Sequence, residues 1–405
     1  MLPTEIHMQR HRTIAAILLL TSAVVRAESP ATAPAQIDEA YTKAARNLER
    51  AARERDLDAL KKIIDMHALE QLVMQGVTAQ KQTIHDHYTE WANCAPLATR
   101  IVSERRNGYS YDLVNVTIQD GKTRALYRLV SSTGGFWYVA WVLAKDDNGV
   151  VKAVDSWPSN IGDYRSNTLR KFYTKQAADS DARDTAALMG DTDAESGTSQ
   201  EGNRMIAAYD SRKMEEALSI YQSLPESVQH EKEYSIYRVY AASYLRNSDP
   251  DGYREAIDDY QRLFANDPSV DAICFDGWLF EKDYASCYAA LDRMEKLTGG
   301  DPFLDAVRAK VTLLEAGADA PKNAERLARQ AVAGVPRSVF AQLMLMRILV
   351  LQRRFDEAID PLAAVEKIEG HPVPLERMPS MTEFVDSDSY QQYRRQHVAV
   401  TQPAP

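Results

Sequence analysis

Between positions 37 and 64 the apolar residues recur at steps of three and four: Tyr41, Ala44, Ala45, Leu48, Ala51 and Ala52, with Arg, Glu and Lys between them. That spacing lines one side of a helix of about 3.6 residues per turn. Asp56 stands where its carboxylate caps a second helix carrying Leu57, Leu60, Ile63 and Ile64. Further helical stretches follow at 69–74 and 84–91. The period then drops to two. Tyr111 and Leu113, then Val114, Val116 and Ile118, lead to a turn at Asp120-Gly121. Ala125, Tyr127 and Leu129 follow, then a turn through Gly134-Gly135, the run 136–143, a turn at Asp146 to Gly149, and Val150, Val151 and Val154. Strands joined this tightly form an antiparallel meander, and the preceding helices must cover one of its faces. The expectation is an α+β domain over 28–175.

The run 136–143 is apolar on both faces. Trp137, Val139, Trp141 and Leu143 alternate with Phe136, Tyr138, Ala140 and Val142. Such a strand is buried on both sides or lines a cavity. Trp137, Trp141, Asp155 and Trp157 are therefore candidates for a small-ligand pocket, set against a packed core beneath the helices.

Residues 176–203 are rich in Asp, Ala, Ser, Gly and Thr, and read as an acidic linker. From 204 onward the pattern is helical again and repeats itself. Met214-Glu-Glu-Ala217-Leu218, Tyr253-Arg-Glu-Ala256-Ile257, Tyr284-Ala-Ser-Cys287-Tyr288, Asn323-Ala324-Glu325 and Phe355-Asp-Glu-Ala358-Ile359 form a series. Their small residues stand 39, 31, 37 and 34 positions apart. A small residue admits a close helix neighbour, an aromatic fills the wedge beside it, and Pro268 and Pro336 close two of the second helices. This series resembles the second helix of tetratricopeptide (TPR-like) repeats, as found in exported proteins, and covers 204–375. The resemblance implies a stack of helical hairpins whose first helices align along a concave face where protein partners dock. Three departures stand out. The first unit has a short leading helix and no closing Pro, the Cys287 unit ends in Gly299-Gly300-Asp301-Pro302, and the Ala324 unit has Pro321 in place of its aromatic. Residues 376–405 are expected to supply a capping helix, at 381–396, and a tail.

The order of strands around Trp141 and Val151, the Asp155-Ser156-Trp157 exit and Leu169-Arg170 in the following helix are similar to the end of NTF2-like α+β domains. That likeness implies a curved sheet and helices enclosing a pocket.

At the N-terminus, Arg10 and Arg12 precede an apolar stretch at 13–25, and Val25-Arg26-Ala27 offers a cleavage point before Glu28. Residues 1–27 read as a signal peptide, which places the mature chain in the periplasm or outside the cell. No later stretch is apolar for long enough to span a bilayer, so no membrane span is expected in the mature chain. The formal charge of −10 excludes a nucleic-acid footprint, which needs clustered Lys and Arg.

Chemistry is sparse. His85 and His87 would point about 200° apart on a helix and cannot share an ion, and His87 with Glu90 lacks a third ligand. HExxH, CxxC, GxSxG and the phosphate-binding GxxxxGK[ST] are absent. Cys94 has only His85 and His87 to recommend it as a nucleophile, and no histidine is close in sequence to Asp155. No cofactor, metal or catalytic residue is expected. Cys274 and Cys287 fall at inward positions of one hairpin and are either two buried thiols or a disulfide, with the thiols favoured because small residues pair unmodified at such sites. Arg238 and Arg347 lie on first helices, where each either meets an acidic group of a partner or pairs with a neighbouring repeat. The reading is a non-catalytic periplasmic adaptor that binds a protein through the TPR-like repeats. The alternative is a small-ligand protein using the N-terminal pocket. N-terminal sequencing of the exported protein should begin at Glu28; an intact leader on the exported form would refute the signal-peptide reading.

Overall fold

The computed structural model describes residues 37–188 and 198–398, apart from positions 79, 132, 133 and 318. The signal segment 1–27, the stretch 28–36, residues 189–197 of the acidic segment and the tail from 399 lie outside the described residues.

Three short helices open the described chain: α1 (Glu39–Glu54), α2 (Leu57–Ile63) and α3 (Met66–Met74). Each starts on an aspartate whose carboxylate accepts from a backbone N–H at 2.9 Å: Asp38 from Ala40, Asp56 from Ala59 and Asp65 from Ala68. α4 (Lys81–Asn93) and α5 (Pro96–Arg106) follow. Sequence periodicity had not marked α5, which starts on Pro96 and buries Leu97, Ala98, Ile101 and Val102. The strands β1 (Asp112–Gln119), β2 (Lys122–Val130), β3 (Phe136–Lys145) and β4 (Val151–Pro158) then pair in chain order, all antiparallel. The expected meander is present, with a register irregularity between Val142 and Leu143. α6 (Arg165–Leu188) returns against α3 and α4.

On one sheet face, Ala125, Tyr127, Leu129, Trp141 and Leu143 share a core with Leu48, Ala52, Leu60 and Tyr88 from the helices. α6 joins this core through Leu169, Tyr173 and Ala177. Their four-residue spacing carries the apolar stripe beyond the boundary expected at 175, so α6 enters the segment read as linker and ends at Leu188.

Five helical hairpins come next, forming a TPR-like array. They are α7 (Thr198–Asp210) with α8 (Met214–Ser223), then, after a helical turn α9 (Glu226–Gln229), α10 (Lys232–Leu245) with α11 (Pro250–Leu263). α12 (Ser269–Glu281) pairs with α13 (Tyr284–Thr298), α14 (Phe303–Glu315) with α15 (Ala320–Gly334), and α16 (Val339–Leu351) with α17 (Phe355–Glu369). α7 begins at Thr198, so the leading helix of the first hairpin is longer than its sequence had suggested. Ala217, Ala256, Cys287, Ala324 and Ala358 are all buried on second helices, as the repeat requires. Close approach is also enforced between hairpins. A Cβ at Gly277 of α12 would lie 2.7 Å from Ile257 Cγ1 of α11, so any larger residue there would have to displace the buried Ile257 side chain. The expected cap is split into α18 (Thr382–Val385) and α19 (Asp388–Val398). It seals the last hairpin with buried Phe384 and Tyr390 and a 2.7 Å ion pair from Arg394 to Glu366 of α17.

From Ile37 the chain is one compact unit, because the second face of the sheet lies on the array. Leu126, Val130, Tyr138 and Ala140 share a core with Ile236 and Val239 of α10, Phe275 of α12 and Phe303 of α14. Phe136 stacks edge-on against Phe275 and Phe303, with ring centroids 5.8 and 5.3 Å apart. Further along, a Cβ on Gly134 would meet the Phe340 ring of α16 at 2.8 Å. These contacts fall on the first helices of hairpins two to five. The two-sided apolar pattern of β3 is thus explained by helices on one face and repeats on the other.

A buried ion pair locks this joint. Arg128 of β2 donates from Nη1 to both oxygens of Asp301, at 2.6 and 2.7 Å, with side chains 5% and 1% exposed. Asp301 lies in the unusual Gly299-Gly300-Asp301-Pro302 ending and also accepts from Tyr138 Oη at 3.0 Å and Phe303 N at 3.1 Å. Burial opposes the guanidinium charge, but Asp301 and then Asp112 outweigh it and hold the Arg128 pKa above its usual value. Asp301→Ala would leave Arg128 buried without its counter-ion and should cost about 3–5 kcal/mol in chemical denaturation. The double replacement Arg128→Met with Asp301→Leu should be markedly less damaging; equal losses in both proteins would show that the pair is not what holds the joint.

Candidate functional site: a cleft between the sheet domain and the first hairpins

The sheet covers the array from the second hairpin onward, but the first two hairpins diverge from α6 and leave a cleft of about 1040 Å³. Its geometry begins at the exit of β4. Asp155, at that strand's end, is buried and accepts from Ser166 Oγ at 2.6 Å, Ser166 N at 3.1 Å and Ser156 N at 2.8 Å. These bonds fix the start of α6. Burial is the largest influence on the Asp155 carboxyl and raises its pKa despite the Ser166 bonds. The intervening loop turns through Gly162, at φ +67°, where a Cβ would come within 2.5 Å of Asp267 Oδ1 and 3.1 Å of Ser269 N. Glycine therefore lets the loop press against the start of α12.

One wall is the exposed side of α6, with Arg165, Lys171, Phe172 and Lys175. Facing it are Tyr209 of α7 and Glu233, Tyr237 and Tyr240 of α10. Arg100 of α5 and Asn160 of the loop also line the space. Asn160 Nδ2 donates to Tyr240 Oη at 3.1 Å, which joins the two sides. Tyr209 stacks edge-on against Tyr237 at 5.2 Å and against Tyr244, farther along α10, at 6.3 Å. Burial raises the Tyr237 phenol to about 12, so it remains a neutral donor.

Most charges here are matched within the chain. Lys171 pairs with Asp163 at 3.0 Å, Lys175 with Glu231 at 2.7 Å, Lys232 with Asp267 at 2.6 Å, and Arg100 with Glu104 at 2.9 Å. Arg165 differs. No described residue accepts a hydrogen bond from it or forms an ion pair with it, and its Nε is buried without a partner. Burial, and then repulsion from Arg100, pull its pKa down to about 10, which leaves it charged at neutral pH.

The sequence candidates fall elsewhere. None of Trp137, Trp141, Asp155 and Trp157 lines the cleft. Trp141 is buried in the helix-side core and donates from Nε1 to Tyr111 Oη at 2.6 Å. Trp137 stacks on Tyr109 at 4.9 Å, Trp157 packs against the array-side core, and Asp155 is the cap of α6. The four residues serve packing and chain direction, on different faces of the sheet. Arg238 pairs with Asp259 at 2.5 Å and Glu255 at 3.0 Å, both on α11, over the Tyr221 ring. Arg347 is exposed on α16, far along the array from the cleft. His85 contacts Glu70 of α3, whereas His87 lies beside the Tyr173 ring. Among the described residues no group of three or more His, Cys, Asp or Glu side chains could hold a metal ion.

Cys274 and Cys287 are both free and fully buried, while Cys94 is free and exposed. Burial drives the Cys274 thiol well above its usual pKa and the Cys287 thiol to about 12. A raised thiol pKa means a neutral, unreactive sulfur at pH 8. Iodoacetamide should therefore label Cys94 alone in the native protein and all three cysteines after unfolding; native labelling of Cys287, or a mass showing a linked pair, would contradict this arrangement.

No family model matches the sequence, and no curated protein matches it. Among solved structures, the chain has a likeness to MamA from AMB-1, with 12% sequence identity and a TM-score of 0.32, over 45% of this chain and 97% of that one.

Proposed function

We propose that this chain is an exported, non-catalytic protein-interaction adaptor that receives a polypeptide segment in the cleft between α6 and the first two hairpins. The observation that carries the reading is the division of the first-helix face. Its own sheet packs on that face over hairpins two to five, and among the described residues the face opens into a cleft at the start of the array, beside α7 and α10. The N-terminal part, on this proposal an NTF2-like domain, serves as an internal plug and not as a pocket. The cleft, about 1040 Å³, lies at the upper end of the usual small-ligand range, about 300–1,000 Å³.

A second feature favours a polypeptide over a solute. Tyr244, Phe280, Leu314 and Leu351 stand near the C-terminal ends of the first helices of hairpins two to five, and each is between 37% and 67% exposed. Phe280 packs one edge on Tyr253 and Tyr244 is held by Arg212, yet all four side chains keep exposed apolar surface at equivalent positions, which suits an extended partner. Tyr244 begins this row and touches Tyr209 of the cleft, so the two features are continuous. Exposed Arg347 lies four residues before Leu351 and offers the row a cation. The competing reading, a small-ligand protein, uses the same cleft without the row.

A photocrosslinking residue placed at Phe172 or at Leu314 of the full-length chain, in cells of the native host, should yield the same discrete partner adduct. Val150, exposed in the β3–β4 turn, should yield none. An adduct from Val150 matching the others, or none from Phe172, would remove the adaptor reading.

A further inference from the structure

We propose that the cleft is a carboxylate site in which Arg165 holds the acid group and Glu233 meets an N–H donor next to it. The fitting ligand is the carboxyl end of a polypeptide or a free α-amino acid. The first of these deepens the adaptor reading and rests on it.

The argument begins with charge accounting. The cleft is lined by five basic side chains, Arg100, Arg165, Lys171, Lys175 and Lys232, and by five carboxylates. Lys171, Lys175, Lys232 and Arg100 are each committed to a carboxylate of the chain. Arg165 is left over, and so among the carboxylates are Glu233 and Asp210, for which no ion pair is formed among the described residues. Asp210 is exposed at the end of α7. A half-buried guanidinium that makes no hydrogen bond or ion pair with any described residue suits an incoming carboxylate, whose planar geometry matches its two terminal nitrogens. Only Nε of Arg165 is both sealed from water and unmatched, so the two terminal nitrogens keep access to the open space.

Two further features narrow the class. A doubly charged anion such as phosphate would gain from Arg165 but suffer from Glu233 and Asp210, because the uncommitted groups of the lining are one cation and two carboxylates. A carboxylate with a neighbouring N–H satisfies both signs at once. Glu233 is open to the cleft, yet surrounding protein and then the adjacent Glu231 raise its carboxyl pKa, so a cationic or N–H donor ligand would relieve it. Phe172, Tyr237 and Tyr240 provide apolar and aromatic surface for the side chain carried next to the carboxylate.

The test uses the full-length chain and arrays of random hexapeptides attached through their N-termini, with the carboxyl end either free or amidated. The best free-acid sequence is then measured by fluorescence anisotropy as acid and as amide. Amidation should weaken binding about tenfold or more. In Arg165→Gln the acid should fall to the level of the amide, so that the preference between the two disappears, whereas Arg165→Lys should keep part of it. Loss of discrimination is a readout that general damage to the fold does not mimic, and thermal unfolding of each variant checks that damage directly. Acid and amide binding alike to the unaltered protein, or a preference that survives Arg165→Gln, would overturn the carboxylate site while leaving the adaptor reading intact. A mixture of free amino acids is tested in parallel by thermal shift. Stabilisation by that mixture, lost in Arg165→Gln and weakened in Glu233→Gln, with no peptide bound, would support the site but defeat the adaptor reading. Absence of binding in every arm would end the proposal.

Discussion

The placement of one carboxylate governs how the two halves of this molecule meet. Asp301 is carried on a loop that leaves the repeat pattern, and it enters the interior to meet Arg128 from the middle of β2. Neither charge would be tolerated there alone. Desolvating an ion costs several kcal/mol, and the pair recovers that because Tyr138 Oη and Phe303 N also donate to the Asp301 carboxylate, while Thr298 Oγ1 holds the loop by accepting from Asp301 N. The bond therefore acts as a register pin. Shifting β2 by one residue would turn Arg128 toward the helix-side core, while Tyr127, whose hydroxyl donates to Ala45 O at 2.8 Å, would face the repeats. Apolar packing supplies the bulk of the contact, and the ion pair specifies which face and which position.

Once the sheet is pinned, the rest follows from coverage. Its helix-side face is closed by α1 to α6, and its other face needs an apolar surface of similar length. The first helices of the array offer one, because stacked hairpins align an unfilled face along their length. The array is thereby plugged where open solenoids of this kind would bind, and the region left free is set by where α6 starts. Asp155 and Ser166 decide that start, and Gly162 allows the loop before it to lie against α12. A site can thus be positioned by residues that never touch a ligand.

How much of this was legible in the sequence depends on whether the signal was local. The Asp56 cap, the period-two meander and the small residues of the repeat are local, and each appears where its pattern placed it. The doubled apolar faces of β3 were visible too, although they admitted either a cavity or a second covering layer. The departure at Gly299-Gly300-Asp301-Pro302 looked like a blemish in the repeat, and its meaning appears only through Arg128, 173 positions away. α6 was cut short in the reading because Asp, Ser and Ala dominate its second half, although Leu169, Tyr173 and Ala177 already carry a helical stripe across the boundary. The cleft was not legible at all. It draws on five separate stretches of chain, and its distinguishing property is that Arg165 lacks a partner, which is a fact about three-dimensional neighbours and not about spacing.

The same distinction bears on the adaptor function proposed above. In an open repeat array, affinity spreads along a groove and grows with the number of hairpins engaged. Here the sheet covers the first helices of hairpins three to five, so a partner of the kind proposed would have one deep place to enter, beside α10, and a shallow row of apolar side chains beyond it. Specificity would then rest with the few groups at the entrance, since scattered edge contacts on a rim add area but little discrimination. On that proposal a guanidinium that feels Asp155, Glu104 and Glu233 only at a distance, with no ion pair of its own, would influence partner choice more than the matched pairs around it, whose charges are already engaged. On the proposed reading, plugging the groove would convert a general-purpose surface into one that selects by what fits at its end.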